Sequence, residues 1–132
     1  MKRILTAIAA GLIATAATAA TAQDAAVGVW QTEVDDGAFA HIQMEPCGAA
    51  VCGTIVRTYQ ADGTPFQSEN IGRQIVIGMA PNGDGTYNGQ VYRPSNGKTY
   101  VGKMQVNGNA LRLQGCVAGG LICASQNWVR AQ

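Results

Sequence analysis

The chain has 132 residues, with nine basic and eight acidic side chains, one histidine and four cysteines. Lys2 and Arg3 stand at the extreme N-terminus, so the rest of the chain carries seven basic residues against the eight acidic ones. A near-neutral surface without basic runs excludes a nucleic-acid partner, which selects for clustered Lys and Arg, and offers no polybasic membrane patch.

Met1-Lys2-Arg3 is a positive start, residues 4–20 are uncharged and rich in Ala, Thr, Ile and Leu, and Ala20-Thr21-Ala22 supplies small residues before Gln23. That succession is the pattern of a secretory signal peptide, residues 1–22. Its apolar stretch, at about 17 residues, falls short of the roughly 20 strongly apolar residues of a spanning helix. The first cysteine, Cys47, lies far inside the mature chain, which excludes a lipid anchor at the cleavage point. The expected product is a periplasmic or secreted domain, residues 23–132, with no membrane span and with room for one modest core.

Along that domain, short β-rich segments alternate with turn residues and no segment holds a helical apolar period. Residues 27–33 form the first expected strand, closed by Asp35-Asp36-Gly37; residues 38–45 and 53–59 follow on either side of Cys47-Gly48-Ala49-Ala50-Val51-Cys52. The polar stretch 60–73 is the one long connection, and a long loop in a small domain is a place for a lid. Strands are then expected at 74–79, 86–93, 98–106, 110–115 and 121–130, separated by Pro81-Asn82-Gly83-Asp84-Gly85, Pro94-Ser95-Asn96-Gly97, Asn107-Gly108 and Gly119-Gly120. Eight strands with short sequential connections predict an all-β fold, an antiparallel up-and-down barrel or a small sandwich. Ile55, Ile75, Ile77, Leu111 and Leu113 are the apolar positions expected to face inward.

Four cysteines in an exported chain are expected to pair, and they allow three connectivities. A two-residue turn at Ala49-Ala50 would set Cys47 opposite Cys52, and a primed turn at Gly119-Gly120 would set Cys116 opposite Cys123. Opposed residues of antiparallel strands lie within disulfide reach, so the pairs Cys47–Cys52 and Cys116–Cys123 are expected. A four-cysteine zinc site would need different spacings and a reducing compartment.

Gly28-Val29-Trp30 resembles the glycine-x-tryptophan signature of lipocalins, and Arg130 stands on the last strand where that superfamily's arginine packs across the tryptophan ring. More broadly, Gly28-Val29-Trp30-Gln31-Thr32, Cys52-Gly53-Thr54-Ile55-Val56, the run from Gly89-Gln90-Val91-Tyr92-Arg93 to Lys98-Thr99-Tyr100, and Ser125-Gln126-Asn127-Trp128-Val129-Arg130 are similar to the successive motifs of the domain of unknown function 2147 family. The resemblance implies a lipocalin-like barrel in the bacterial envelope, with Gly28, Trp30 and Arg130 as barrel-closing residues, and it implies no established activity. The chain departs from the family's pattern at Arg93, where an acidic residue is frequent, and at Glu69-Asn70, a reduced form of the middle-loop motif.

Candidate chemistry is sparse. His41, the one histidine, alternates with Phe39, Gln43 and Glu45 on a strand face, as a surface or pore-lining residue whose protonation Glu45 could tune. Ser95-Asn96-Gly97-Lys98 matches serine-x-x-lysine, but that chemistry needs a helix to bring serine and lysine onto one face, and Asn96-Gly97 makes a hairpin turn instead. Asn82-Gly83-Asp84-Gly85 lacks the further oxygen donors of a calcium loop. No cofactor motif, metal set or nucleophile–base pair stands out, so binding is favoured over catalysis. Tyrosines suit a ligand cavity, because the ring supplies apolar area and the hydroxyl fixes orientation. Tyr92, Arg93 and Tyr100 are the candidate ligand-binding residues at a polar mouth, for a small and mainly apolar ligand. The competing expectation is a solid barrel that binds another envelope protein through its loops.

Overall fold

The computed structural model describes Gly11 and residues 24–131, so the expected signal peptide lies, apart from Gly11, outside the described residues. Nine strands follow in order: β1 (Gly28–Gln31), β2 (Ala38–Cys47), β3 (Ala50–Gln60), β4 (Pro65–Phe66), β5 (Gln74–Pro81), β6 (Thr86–Arg93), β7 (Lys98–Asn107), β8 (Ala110–Val117) and β9 (Ile122–Arg130). Every pairing is antiparallel. Eight strands close a ring, because β2 pairs with β3 and β1 joins β9 through Trp30↔Arg130 and Gln31↔Val129. β4 is an addition to the outer end of β3, placed there by the 60–73 segment, which the sequence marked only as a loop.

Closure removes sheet edges, and alternation then divides each strand into a core face and a solvent face. Trp30, Ile42, Met44, Val76, Met79, Tyr87, Met104, Leu111 and Trp128 fill one end of the barrel. The chain before β1 caps that end. Ala26 is fully buried, its carbonyl accepts the Trp30 indole N–H at 2.8 Å, and the Asp24 carboxylate accepts both the Ala26 N–H and the Tyr87 hydroxyl. Burial first, and then this bond to Asp24, push the Tyr87 phenol well above its ordinary range. Arg130 finishes the cap: its guanidinium lies 4.1 Å over the Trp30 ring and donates to the carbonyls of Val27, Ala25 and Gly108.

Irregularities in β3 and β5 shape the wall. β3 carries an extra residue opposite His41 and Ile42, so Ile55 and Thr58 both face inward although they are three positions apart. β5 slips register between Ile77 and Ala80, where Gly78 takes φ +57°. A further register shift, against β3 between Gln74 and Val76, puts both Ile75 and Val76 in the core and turns Ile77 outward, contrary to the simple alternation expected, and the slip at Gly78 brings Met79 back into the core. Gly89 on β6 accommodates the slip, since a Cβ there would stand 2.7 Å from both the Ile77 and the Gly78 carbonyl oxygens.

The disulfides join Cys47 to Cys52 and Cys116 to Cys123. Their turns differ from those expected. The first turn centres on Gly48-Ala49, with Gly48 at φ +65°, so Cys47 pairs with Ala50 and reaches Cys52 diagonally. In the second, Cys116 faces Cys123 directly, and the loop is a short 3-10 turn over Ala118–Gly120. No helix among the described residues is long and apolar enough to cross a membrane.

Candidate ligand cavity

Opposite the capped end the barrel is hollow. A cavity of about 830 Å³ opens there, within the range of small-molecule sites. Its floor is the top of the core: Ile55, Ile75, Leu113 and Trp128, with Val91 and Phe66 on the sides. The β8–β9 hairpin supplies one wall from floor to mouth, because Leu111↔Trp128, Leu113↔Gln126, Gly115↔Ala124 and Val117↔Ile122 are successive pairs on its inner face. Gly115 leaves room on that wall, and the Tyr100 ring lies across it; a Cβ on Gly115 would touch Tyr100 at an ordinary 3.5 Å.

Tyr92, Arg93 and Tyr100 all line this cavity, around the β6–β7 turn at its mouth. Arg93 pairs with Asp35 across the opening at 3.5 Å, with both side chains about half exposed, so the pair is weak. Glu33 and Asp36 add further carboxylates to the lining. Tyr92 stands on the outer side of β6 by register, opposite Thr99, and reaches the mouth with Arg73 over its ring and bonded to its hydroxyl at 2.8 Å. The lip is apolar where β8 meets β9: Val117, Leu121 and Ile122 are exposed there, and Val34, also exposed, lines the cavity beside Glu33, which is bonded to Asn127 of β9. Sequence reading passed over Thr58, Gly115 and Gln126. Their signal was present as inward alternation, but only the ring closure shows that these positions share one space.

Phe66 links the cavity to the 60–73 segment. Thr58 donates to the Phe66 carbonyl, which pins β4 beside the mouth, and a second hollow of about 340 Å³ lies on the other side of Phe66 beneath the segment.

His41 stands outside this site. It faces away from the core on β2, tilted against Tyr59, which stacks on Phe39, and its Nε2 meets Gln31 Oε1 at 3.1 Å. Burial holds its pKa below the ordinary 6.5, and Arg57, its cross-strand partner, adds to the effect; Glu45 makes no contribution. The buried Nδ1 has no acceptor to receive a second ring proton. The unfolded chain therefore binds a proton more readily than the folded one as pH falls below about 6.5. Stability is expected to be constant above that pH and to decline below it, and His41→Gln is expected to flatten the decline in urea titrations.

The remaining motifs resolve into turns. Asn96 and Gly97 N–H groups both bond to the Arg93 carbonyl, giving a hairpin where serine-x-x-lysine chemistry needs a helix. The Asp84 carboxylate is occupied by the backbone and hydroxyl of Thr86.

With this geometry in place, comparison with known proteins gives a consistent picture. Residues 28–130 match the family described as "Uncharacterized protein conserved in bacteria (DUF2147)". Among solved structures, the chain is similar to HP1028 from Helicobacter pylori, described as belonging to the lipocalin family. That likeness has a TM-score of 0.62 at 17% identity and covers 80% of this chain and 82% of the other. At such identity it establishes the lipocalin-like fold alone. No curated protein matches the sequence.

Proposed function

We propose that this chain, which belongs to the bacterial DUF2147 family, is an exported protein that carries a small, mainly apolar ligand in its barrel. The observation that supports this most is the barrel's asymmetry. One end is packed solid around Trp30 and Trp128, while the other keeps about 830 Å³ free above an apolar floor, with Tyr92, Arg93 and Tyr100 at the mouth. A protein that needed only a stable scaffold would fill that space, since unfilled apolar volume costs stability. Periplasmic or extracellular residence fits the two disulfides and the signal-like N-terminus.

Gly115→Leu tests the reading. The added Cβ meets only ordinary contacts, and the side chain points into the cavity from its wall. The variant is expected to fold with an unchanged or slightly higher melting temperature and to bind a neutral apolar fluorophore at least about tenfold more weakly, a difference of about 1.4 kcal/mol. Undiminished binding would place the fluorophore elsewhere and remove the main support.

The exposed lip favours a second reading, recognition of another envelope protein. Leu121 and Ile122 are 87% and 65% exposed, which is unusual for large aliphatic side chains on an isolated domain. Leu121 does not line the cavity, so Leu121→Ser separates the readings: it would weaken a protein contact and leave ligand binding intact.

A further inference from the structure

Among the polar side chains that line the cavity, Gln126, Tyr100 and Tyr92 are committed in a way that selects the ligand's polar end. Gln126 faces the cavity from β9, and its side-chain amide meets Trp128 Nε1 at 2.9 Å. An indole N–H only donates, so the amide oxygen must be the partner, and the Gln126 NH₂ group is left free. Tyr100 is committed in the same sense. The Asn96 side-chain oxygen accepts the Lys98 backbone N–H at 3.0 Å, which turns the Asn96 NH₂ toward the Tyr100 hydroxyl at 2.7 Å. The phenol oxygen is therefore an acceptor there, and its hydrogen is free. Tyr92 repeats the pattern, since Arg73 can only donate to its hydroxyl. Thr32, by contrast, already both donates and accepts within the protein.

Resting on the ligand-carrier reading above, we propose that the ligand is an uncharged apolar molecule with a carbonyl-type hydrogen-bond acceptor, an ester, ketone or amide, received by the Gln126 NH₂ group and the Tyr100 hydroxyl. Both groups offer unused hydrogens, while their oxygens already accept one bond each, so an acceptor on the ligand is better matched than a donor. The absence of charge follows from the mouth. Glu33, Asp35 and Asp36 line it against Arg93, which Asp35 already engages, so an anionic head meets a net negative rim. A cationic head would be held by the rim carboxylates and would leave the Gln126 and Tyr100 hydrogens unmatched, an outcome that the dodecylamine competitor detects.

The test is a displacement series on the mature protein, with N-phenylnaphthylamine as the neutral probe and dodecane, decyl methyl ketone, dodecanoate and dodecylamine as competitors. The ketone is expected to bind about tenfold more tightly than dodecane, as one net hydrogen bond would give. Gln126→Glu keeps an oxygen for the Trp128 indole and removes the NH₂ group; it is expected to erase the preference for the ketone over dodecane. Tyr100→Phe is expected to reduce the preference in part, and it carries the test if Gln126→Glu fails to fold. A ketone no tighter than dodecane, or a preference that survives both substitutions, overturns the inference. Tighter binding of dodecanoate or dodecylamine than of the ketone overturns it as well. If neither the probe nor dodecane binds, the carrier reading itself has failed, which is a distinct result.

Discussion

Arg130→Ala is expected to lower the unfolding free energy by about 2–3 kcal/mol while leaving a folded barrel. One guanidinium plane covers the Trp30 ring at 4.1 Å and at the same time donates to three carbonyls drawn from the pre-β1 segment and the β7–β8 turn. The bond to Val27 is partly buried, so its loss strands a carbonyl; the bonds to Ala25 and Gly108 are more exposed, and water replaces them at small cost. Stacking on the indole adds roughly 0.5–2 kcal/mol. Arg130→Lys keeps the charge but loses the fork, and it is expected to recover less than half of the loss. Chemical denaturation with Trp30 and Trp128 fluorescence reads both effects. An unchanged transition for Arg130→Ala would show that the β1–β9 seam closes without this residue.

Gly89→Ala is expected to cost about 3 kcal/mol, near the upper end of overpacking effects. The reason is the identity of what the new methyl meets. Its Cβ would stand 2.7 Å from two carbonyl oxygens of β5, and backbone held in a sheet cannot swing aside as a side chain can. Gly102→Ala makes a useful contrast: its nearest neighbour, at 2.6 Å, is the terminal methyl of Met79, a flexible group, although backbone and Val91 follow at 2.9 Å. A smaller loss is expected there. Gln90→Ala, exposed on the same strand as Gly89, is the neutral control. Equal melting curves for Gly89→Ala and Gln90→Ala would contradict the packing described for the β5 slip.

Much of the fold was legible in the sequence because each strand and turn carries its own local signal. Residues 86–93 were read as a strand and β6 spans Thr86–Arg93, since Pro81-Asn82-Gly83-Asp84-Gly85 and Pro94-Ser95-Asn96-Gly97 mark both ends. The cysteine pairs were readable because hairpins bring residues 47 and 52, and 116 and 123, within reach whichever residues form the turn. What failed was anything set by long-range register. Ile77 alternates correctly with Ile75, yet the register shift of β5 against β3 between Gln74 and Val76 turns it out of the core. Position 42 pairs with position 55 and position 41 with position 57 because β3 bulges, and no local pattern announces that.

The candidate site was legible to a lesser degree. Tyr92, Arg93 and Tyr100 do meet at one mouth, because the β6–β7 hairpin places them within a few residues of the same turn. Gln126 and Gly115 come from strands β9 and β8, and their relevance depends on which end of the barrel the core leaves open. That choice is made by the bulk of Trp30, Met44, Met79 and Met104 at the opposite end, a packing outcome that composition does not disclose.

The central claim, that the open half of the barrel holds a small apolar molecule, is tested most directly by native mass spectrometry of the protein purified without detergent from the cells that make it, repeated after denaturation. The account predicts a reproducible added mass of a few hundred daltons, appropriate to a cavity of this size, that disappears on denaturation and is absent from Gly115→Leu. The bare chain mass for the wild-type protein, from material that also fails to take up an apolar fluorophore, would contradict it.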